Sequence, residues 1–450
     1  MQKLRDGMVD KNAELKRGGG FYKNLSDALP LDRFPPDHRD PVCHFVHYDY
    51  RTLRKLEATV IIIFHNEPFS TLCRTVHSVL NKTPPGLLFE IILVNDGSTD
   101  SHFQKNDKVE QYIHLLPKVR MIHQPYRTGI VAARLAAAKL VVSPVIVILD
   151  SHVEANDGWL EPLLARLADS PKSLVFPQID SIRGDSDFGY SKLTGIGCHL
   201  IFRWSLIEQA TLSTIFYSTE AVASPVIAGG LYAIRTDTFW EFGGYDEEFR
   251  DWGAENIEQS FRMWLCGGRV ECAPCSRMYH IYRSGGVGYS VDMNNVKRNR
   301  LRTAIVWMDD YRYLPFFLAS YSPSTYDGPA LGKFDKPLQS VGAPSEDTYY
   351  LETGDGGEIC ISHTLKMGSC QASTKKDNFF VINNTISYSN GLQLSSPSLC
   401  LTLSKYTKEA ENATLFFMKC DGSEEQQWIF NKFDFEAYKT LLHLAPTFLE

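Results

Sequence analysis

The stretch Val145-Ile-Val-Ile-Leu-Asp-Ser-His-Val-Glu154 runs five apolar residues into an aspartate and, two positions on, a histidine. A short apolar run rich in β-branched residues and closed by polar ones reads as a buried strand. In an extended chain residues two apart share a face, so Asp150 and His152 would stand side by side at the strand's C-terminal end. Such a pair can hold a divalent metal, or it can be an ordinary strand end meeting water. Similar runs at 60–64, 91–94 and 119–122 recur at the spacing of a βαβ series. Between them, 70–80 reads as a helix with Ser70 at its N-cap and Leu72, Val76 and Leu80 on one stripe, and 128–140 has an Ala-rich, Arg-containing helical composition. Alternating strand and helix means a mostly parallel sheet covered on both faces, with ligands beyond the carboxyl ends of its strands. His65-Asn66-Glu67, Asn95-Asp96 and Asp150-Ser151-His152 all fall at such ends, which favours the metal.

The chain is long enough, at 450 residues, for two or more compact units. Its 44% apolar and 22% charged residues are those of an ordinary globular protein, and a net charge of −7 without a basic run argues against nucleic acid as a partner. The apolar runs 141–149 and 221–234 are too short to span a membrane, and the first residues lack the apolar core of a signal peptide; any anchor would lie upstream of this chain. Ten cysteines and the sequons at Asn24, Asn81, Asn383 and Asn412 favour a secretory, oxidising compartment. Cys272-x-x-Cys275 alone has zinc-like spacing, and no second close pair accompanies it.

Composition divides the chain into an N-terminal arm (1–55), an α/β domain (56–320), a Ser/Pro/Gly-rich linker (321–344), an all-β module (345–435) and a C-terminal tail (436–450). In the module, Cys400-Leu-Thr-Leu, then Cys420 and Gln426-Gln427-Trp428, has the form of one QxW repeat of a ricin-like β-trefoil lectin, with room for about two of its three repeats.

Phe64-His-Asn-Glu67, Arg74-Thr-Val-His-Ser-Val79, Asp150-Ser-His152, Gly158-Trp-Leu-Glu-Pro-Leu163, Ile227-Ala-Gly-Gly-Leu231, Trp252-Gly-Ala-Glu-Asn256 and Cys275-Ser-Arg-Met-Tyr-His-Ile-Tyr-Arg283 occur in that order. Together they resemble the polypeptide N-acetylgalactosaminyltransferase family, Golgi enzymes that begin mucin-type O-glycans. The resemblance implies a Rossmann-like GT-A nucleotide-sugar transferase domain followed by a small all-β, partial β-trefoil domain. It implies retaining transfer of GalNAc from UDP-GalNAc to Ser/Thr hydroxyls of proteins, with Mn²⁺ held by Asp150, His152 and His280. It places Arg127 and Arg283 on the nucleotide, Asp96 at the uridine end and Ser151 in the substrate site. Ala228, Gly229 and Gly230 face the sugar, Trp252 closes the pocket, and Glu255 and Asn256 lie beside sugar and acceptor. It also implies a Cys43–Cys275 disulfide, with Cys400 and Cys420 as the pair in the tail.

The sequence departs from the family at several points. Asn95 replaces an acidic residue, Ala132 an arginine, and Thr402 the aspartate of a sugar-binding trefoil repeat; Tyr289 stands in a glycine-rich loop as a substitute for a clamping histidine. Cys266 lacks its family partner. These departures support an alternative, a catalytically weak or inactive member acting as a binding or regulatory protein. A metal-dependent hydrolase is a third reading.

Overall fold

The computed structural model describes residues 18–308 apart from 101–102, 104–106, 199, 204–205, 211–218 and 284–290, together with Leu15 and the backbone of four short strands near the C-terminus. The chain forms two compact units, Met1–Leu338 and Gln339–Glu450. In the second, strands Phe379–Ile382, Thr385–Tyr388, Leu399–Leu403 and Leu415–Met418 make one antiparallel sheet in chain order. The linker, Tyr289, and the pairing of Cys400 with Cys420 lie outside what is described.

The first unit is built on β1 (Ala58–Phe64), β2 (Leu88–Asp96), β3 (Val119–Gln124), β4 (Val145–Asp150), β5 (Val153–Ala155), β6 (Ser173–Ile182), β7 (Tyr190–Ile196), β8 (Leu200–Arg203), β9 (Ile207–Ala210), β10 (Val222–Ala223), β11 (Tyr232–Arg235) and β12 (Arg269–Ile281). The main sheet runs β10-β12-β6-β11-β4-β1-β2-β3, with β5 on β12 and β7 on β6, while β8 and β9 form a separate hairpin. The β4-β1-β2-β3 half is parallel, as the βαβ spacing requires. The other half is mixed, because β11 runs antiparallel to both β4 and β6. That reversal turns the start of β11 towards the same edge as the C-terminal ends of β1, β2, β4 and β12.

Residues of β1 and β4 alternate strictly between the two faces. Val60, Ile62, Val147 and Leu149 pack in one core layer; Ile61, Ile146 and Ile148 pack in the other. Both faces are buried, so the strands read as unbroken apolar runs. The first layer is covered by α1 (Phe69–Lys82) and α3 (Glu161–Asp169); the second by α2 (Ile130–Ala138) and α4 (Glu255–Leu265), with α5 (Met293–Trp307) against α4. The sequence reading misplaced the start of α1. Pro68 precedes the first turn, and Ser70 lies inside it, buried and hydrogen-bonded to Ser26 of the arm at 2.8 Å.

The arm is fixed to this unit by Phe21, fully buried beside Phe188, by Arg33 paired with Glu154, and by the Cys43–Cys275 disulfide. Cys275 sits where the β12–β6 register shifts between Ala273 and Arg277, and the bulge there reaches the arm. Cys272 pairs with Cys198, a bond the sequence reading missed, so the Cys272-x-x-Cys275 motif is two separate disulfides and no zinc site. Among the described residues, Cys73 and Cys266 form no disulfide. The Cys43–Cys275 bond spans 232 residues. Cys43→Ser should therefore lower unfolding stability by about 2–5 kcal/mol, read from urea melts against the parent with the Cys198–Cys272 bond intact.

Candidate active site

Asp150 ends β4 on the even-numbered side, which faces α2 and α4, and its carboxylate consequently meets groups from both. Arg134 of α2 brings Nη2 to 3.9 Å from Asp150 Oδ1 and Nη1 to 3.6 Å from Glu255 Oε1 at the start of α4. His152 does not stand beside Asp150 through strand alternation, as the sequence suggested. The strand stops at Asp150, and the turn through Ser151 and His152 leads into β5. β5 pairs with β12, so Val153 lies opposite His280 and the His152 carbonyl accepts from Ile281 N at 3.1 Å. This pairing brings the two imidazoles to 4.8 Å between centroids, while His280 Nε2 lies 3.3 Å from Asp150 Oδ2.

One ligand atom each from Asp150, His152 and His280 thus falls within 4.8 Å of the others. A carboxylate with two imidazoles is a donor set for a transition ion rather than Mg²⁺. Two further observations fit that occupant. Glu67 Oε2 meets His152 Nδ1 at 3.2 Å, which orients the ring and leaves Nε2 as the ligating nitrogen. Gly230 leaves its Cβ space to the Asp150 carboxylate, for a methyl group there would come within 2.2 Å of Oδ2. Burial lowers the pKa of His280, favouring the neutral, ligating form. Burial also opposes charge on Asp150, but His280, His152 and Arg134 outweigh it and hold the carboxyl below its usual range.

Glu67 is itself buried, and there too burial is overcome: Arg283 and His152 hold it at about 2. Arg283 Nη2 meets Glu67 Oε2 at 2.6 Å, its Nη1 donates to Gly19 O at 2.6 Å, and its guanidinium lies 5.5 Å from the Phe21 ring. Ser151 Oγ donates to the same Glu67 oxygen at 3.1 Å. The loop after β1, the β4–β5 turn and the segment after β12 therefore meet at one carboxylate, and the arm joins them through Arg283.

These groups line a cleft of about 760 Å³, within the usual range for small-molecule sites. Ala228, Gly229 and Gly230 lead into β11 along its wall, and Trp252, 37% exposed, stands at its surface. Asp251 and Ala254 on either side of Trp252-Gly253 hold positive φ of 55° and 68°, a strained approach to the first turn of α4. Glu255 accepts from Gly253 N at 3.2 Å, and burial raises its pKa. Asn256 Nδ2 donates to Ile227 O at 3.1 Å and to Glu208 at 2.9 Å. Asp96 lines the cleft while accepting from Thr128 N, Thr128 Oγ1 and Gly129 N, so it also shapes the loop before α2. Arg127 pairs with Asp251 at 3.0 Å. Asn95, a departure from the family pattern, accepts from Ser98 N and donates to Phe103 O, organising the loop after β2.

The sequence reading gave no role to Glu67, Arg134 or Glu208. Arg134 carried a signal, as the charged residue of the otherwise apolar helix Ile-Val-Ala-Ala-Arg-Leu-Ala-Ala-Ala: a cation on a buried helix needs a counter-charge. Nothing local marked Glu208, because its place depends on how the β8–β9 hairpin docks.

The fold is of GT-A type, the Rossmann-like architecture of nucleotide-sugar transferases, with its ligand site at the strand ends. Residues 59–238 match glycosyl transferase family 2, and residues 214–284 match the N-terminal domain of galactosyltransferase. Probable N-acetylgalactosaminyltransferase 9 of Caenorhabditis elegans is 42% identical over 321 residues, 68% of this chain and 55% of that protein. Polypeptide N-acetylgalactosaminyltransferase 3 of Taeniopygia guttata is 33% identical over 448 residues, 95% of this chain and 72% of that protein. The crystal structure of GalNAc-T7 with UDP, GalNAc and Mn²⁺ superposes with a TM-score of 0.65 at 25% identity, over 96% of this chain and 90% of that one. The chain belongs to the polypeptide N-acetylgalactosaminyltransferase family, and spans little more than half the length of the first of these relatives.

Proposed function

We propose that the chain transfers N-acetylgalactosamine from UDP-GalNAc to Ser/Thr hydroxyls of proteins with retention of configuration, as a Mn²⁺-dependent enzyme of the Golgi lumen. The observation that carries this reading is the Asp150/His152/His280 cluster beside Glu255 in one cleft. Asp150, His152 and His280 would hold the ion, which when bound neutralises charge building on the diphosphate leaving group. Glu67 keeps the His152 tautomer fixed. Arg283 and Arg127 are planar forks suited to phosphate oxygens, and both now rest on carboxylates that a diphosphate would displace. Gly229 and Gly230, on the wall that faces the sugar, leave room for Asn256 and the Asp150 carboxylate, and Trp252 covers the sugar. In a front-side transfer the bond from anomeric carbon to phosphate oxygen breaks as the acceptor oxygen bonds that carbon, and the acceptor proton passes to the departing phosphate oxygen. Glu255, with Asn256 beside it, orients the sugar and the incoming hydroxyl.

The test is incubation of the chain with UDP-GalNAc, Mn²⁺ and a broad Ser/Thr peptide set, read by mass spectrometry for one added HexNAc. Glycopeptide formed only with metal is expected. Folded protein yielding neither glycopeptide nor free GalNAc would favour the non-catalytic reading, and free GalNAc alone would favour a hydrolase. Gly230→Ala should cut transfer about a hundredfold, because its methyl group would push the Asp150 carboxylate by about 1 Å, a misplacement large enough for such a loss; a parallel Mn²⁺ titration should show weakened binding.

A further inference from the structure

The acidic side chains of the cleft are mostly committed to partners. Glu67 is held by Arg283, Asp150 by His280, Asp251 by Arg127, and Asp96 by the donors of Thr128 and Gly129. Glu255 lies against Arg134. Glu208 differs. It is half-buried on the cleft wall, its one hydrogen bond among the described residues is from Asn256 Nδ2, and no described cation pairs with it. A carboxylate has about four lone-pair sites, so most of its accepting capacity is unspent.

Its position is fixed by the fold. Cys198, just before β8, is bonded to Cys272 of β12. Leu200 and Leu206 are each 1% exposed in the core layer, and Phe202 packs edge-on to Phe261 of α4 at 5.1 Å. Arg203 Nε donates to Gln209 across the hairpin at 2.6 Å. Glu208 thus follows the seated Leu206 by two residues and reaches Asn256, the neighbour of Glu255. Little ordering remains for a ligand to impose, which favours binding there.

We propose that Glu208 is a specificity-determining residue that selects protein acceptors bearing Lys or Arg close to the Ser/Thr that is modified. This rests on the transferase reading above. An ammonium or guanidinium from the acceptor would supply the counter-charge that no described residue does, through a charge-assisted hydrogen bond in a partly desolvated cleft. An acidic neighbour would meet Glu208 as a like charge.

The experiment uses one Ser/Thr peptide with Lys, Gln or Glu placed in turn at each flanking position, with the parent chain, Glu208→Gln and Glu208→Lys. Relative kcat/KM is measured alongside binding of the same labelled peptides in the presence of UDP and Mn²⁺, with melting curves to confirm folding. For at least one flanking position the parent should favour Lys over Glu by about tenfold, less at high salt. The preference should fall to about twofold or less in Glu208→Gln and reverse in Glu208→Lys. A parent that uses Lys and Glu peptides equally, or a preference unchanged in both variants, would overturn the role of Glu208 and leave the transferase standing. Absence of transfer to every peptide would overturn the transferase reading instead, and the binding ratios would still decide for or against Glu208.

Discussion

Asp150→Ala is expected to abolish metal-dependent transfer, with a loss on the order of a thousandfold or more in kcat/KM and a comparable loss of Mn²⁺ affinity. The substitution removes the only carboxylate of the three-residue ligand cluster and leaves two imidazoles, a set without the charge a divalent ion needs. It also strips Arg134 of one of its two carboxylate neighbours, so the fully buried guanidinium would face Glu255 alone. Stability should therefore fall as well, by a few kcal/mol, and the two effects need separate readouts. Mn²⁺ titration by electron paramagnetic resonance measures the site, and urea melts without metal measure the fold. Substantial metal-dependent transfer by a folded Asp150→Ala chain would remove Asp150 from the ligand set.

Glu255→Gln should lower kcat by about a hundredfold to ten-thousandfold while leaving Mn²⁺ affinity close to the parent's. The side chain keeps its size and its acceptor for Gly253 N, and what is lost is its charge, including the attraction to Arg134, which burial outweighs. The stability effect runs the other way from that of Asp150. Burial raises the Glu255 pKa in the folded state, so the folded chain binds the proton more tightly than the unfolded one. Stability then falls as pH rises from the unfolded value towards the raised folded one, and the cost persists above it. Glu255→Gln removes that cost, so its melting temperature at neutral pH should equal or exceed the parent's, with the difference vanishing in acid. An inactive variant with a depressed melting temperature at pH 7 would instead mean that the carboxylate matters to the fold.

Most of the parallel half of the sheet was legible in the sequence, because strands buried on both faces leave unbroken apolar runs. The ends of those runs pointed to the site: His65 to Glu67, Asp96, and Asp150 to His152 all reach the cleft. The antiparallel insertion of β11 was not legible, since a four-residue strand carries no direction. Nor was the Cys198–Cys272 bond, which joins positions 74 residues apart.

By itself, the sequence determined which side chains could do metal and phosphate chemistry, and their order along a βαβ frame. Residue type and local periodicity are properties of short segments, and they survive without knowledge of the fold. Tertiary structure alone decided how those side chains meet. It brought His280 to Asp150 through the β5–β12 pairing, gave Glu67 to His152 and Arg283, and placed Arg134 between two carboxylates. It also carried Glu208 from a distant hairpin to Asn256. Each of these depends on register and docking between segments far apart in the chain, and a contact energy of that kind is a property of the pair, not of either segment's own pattern.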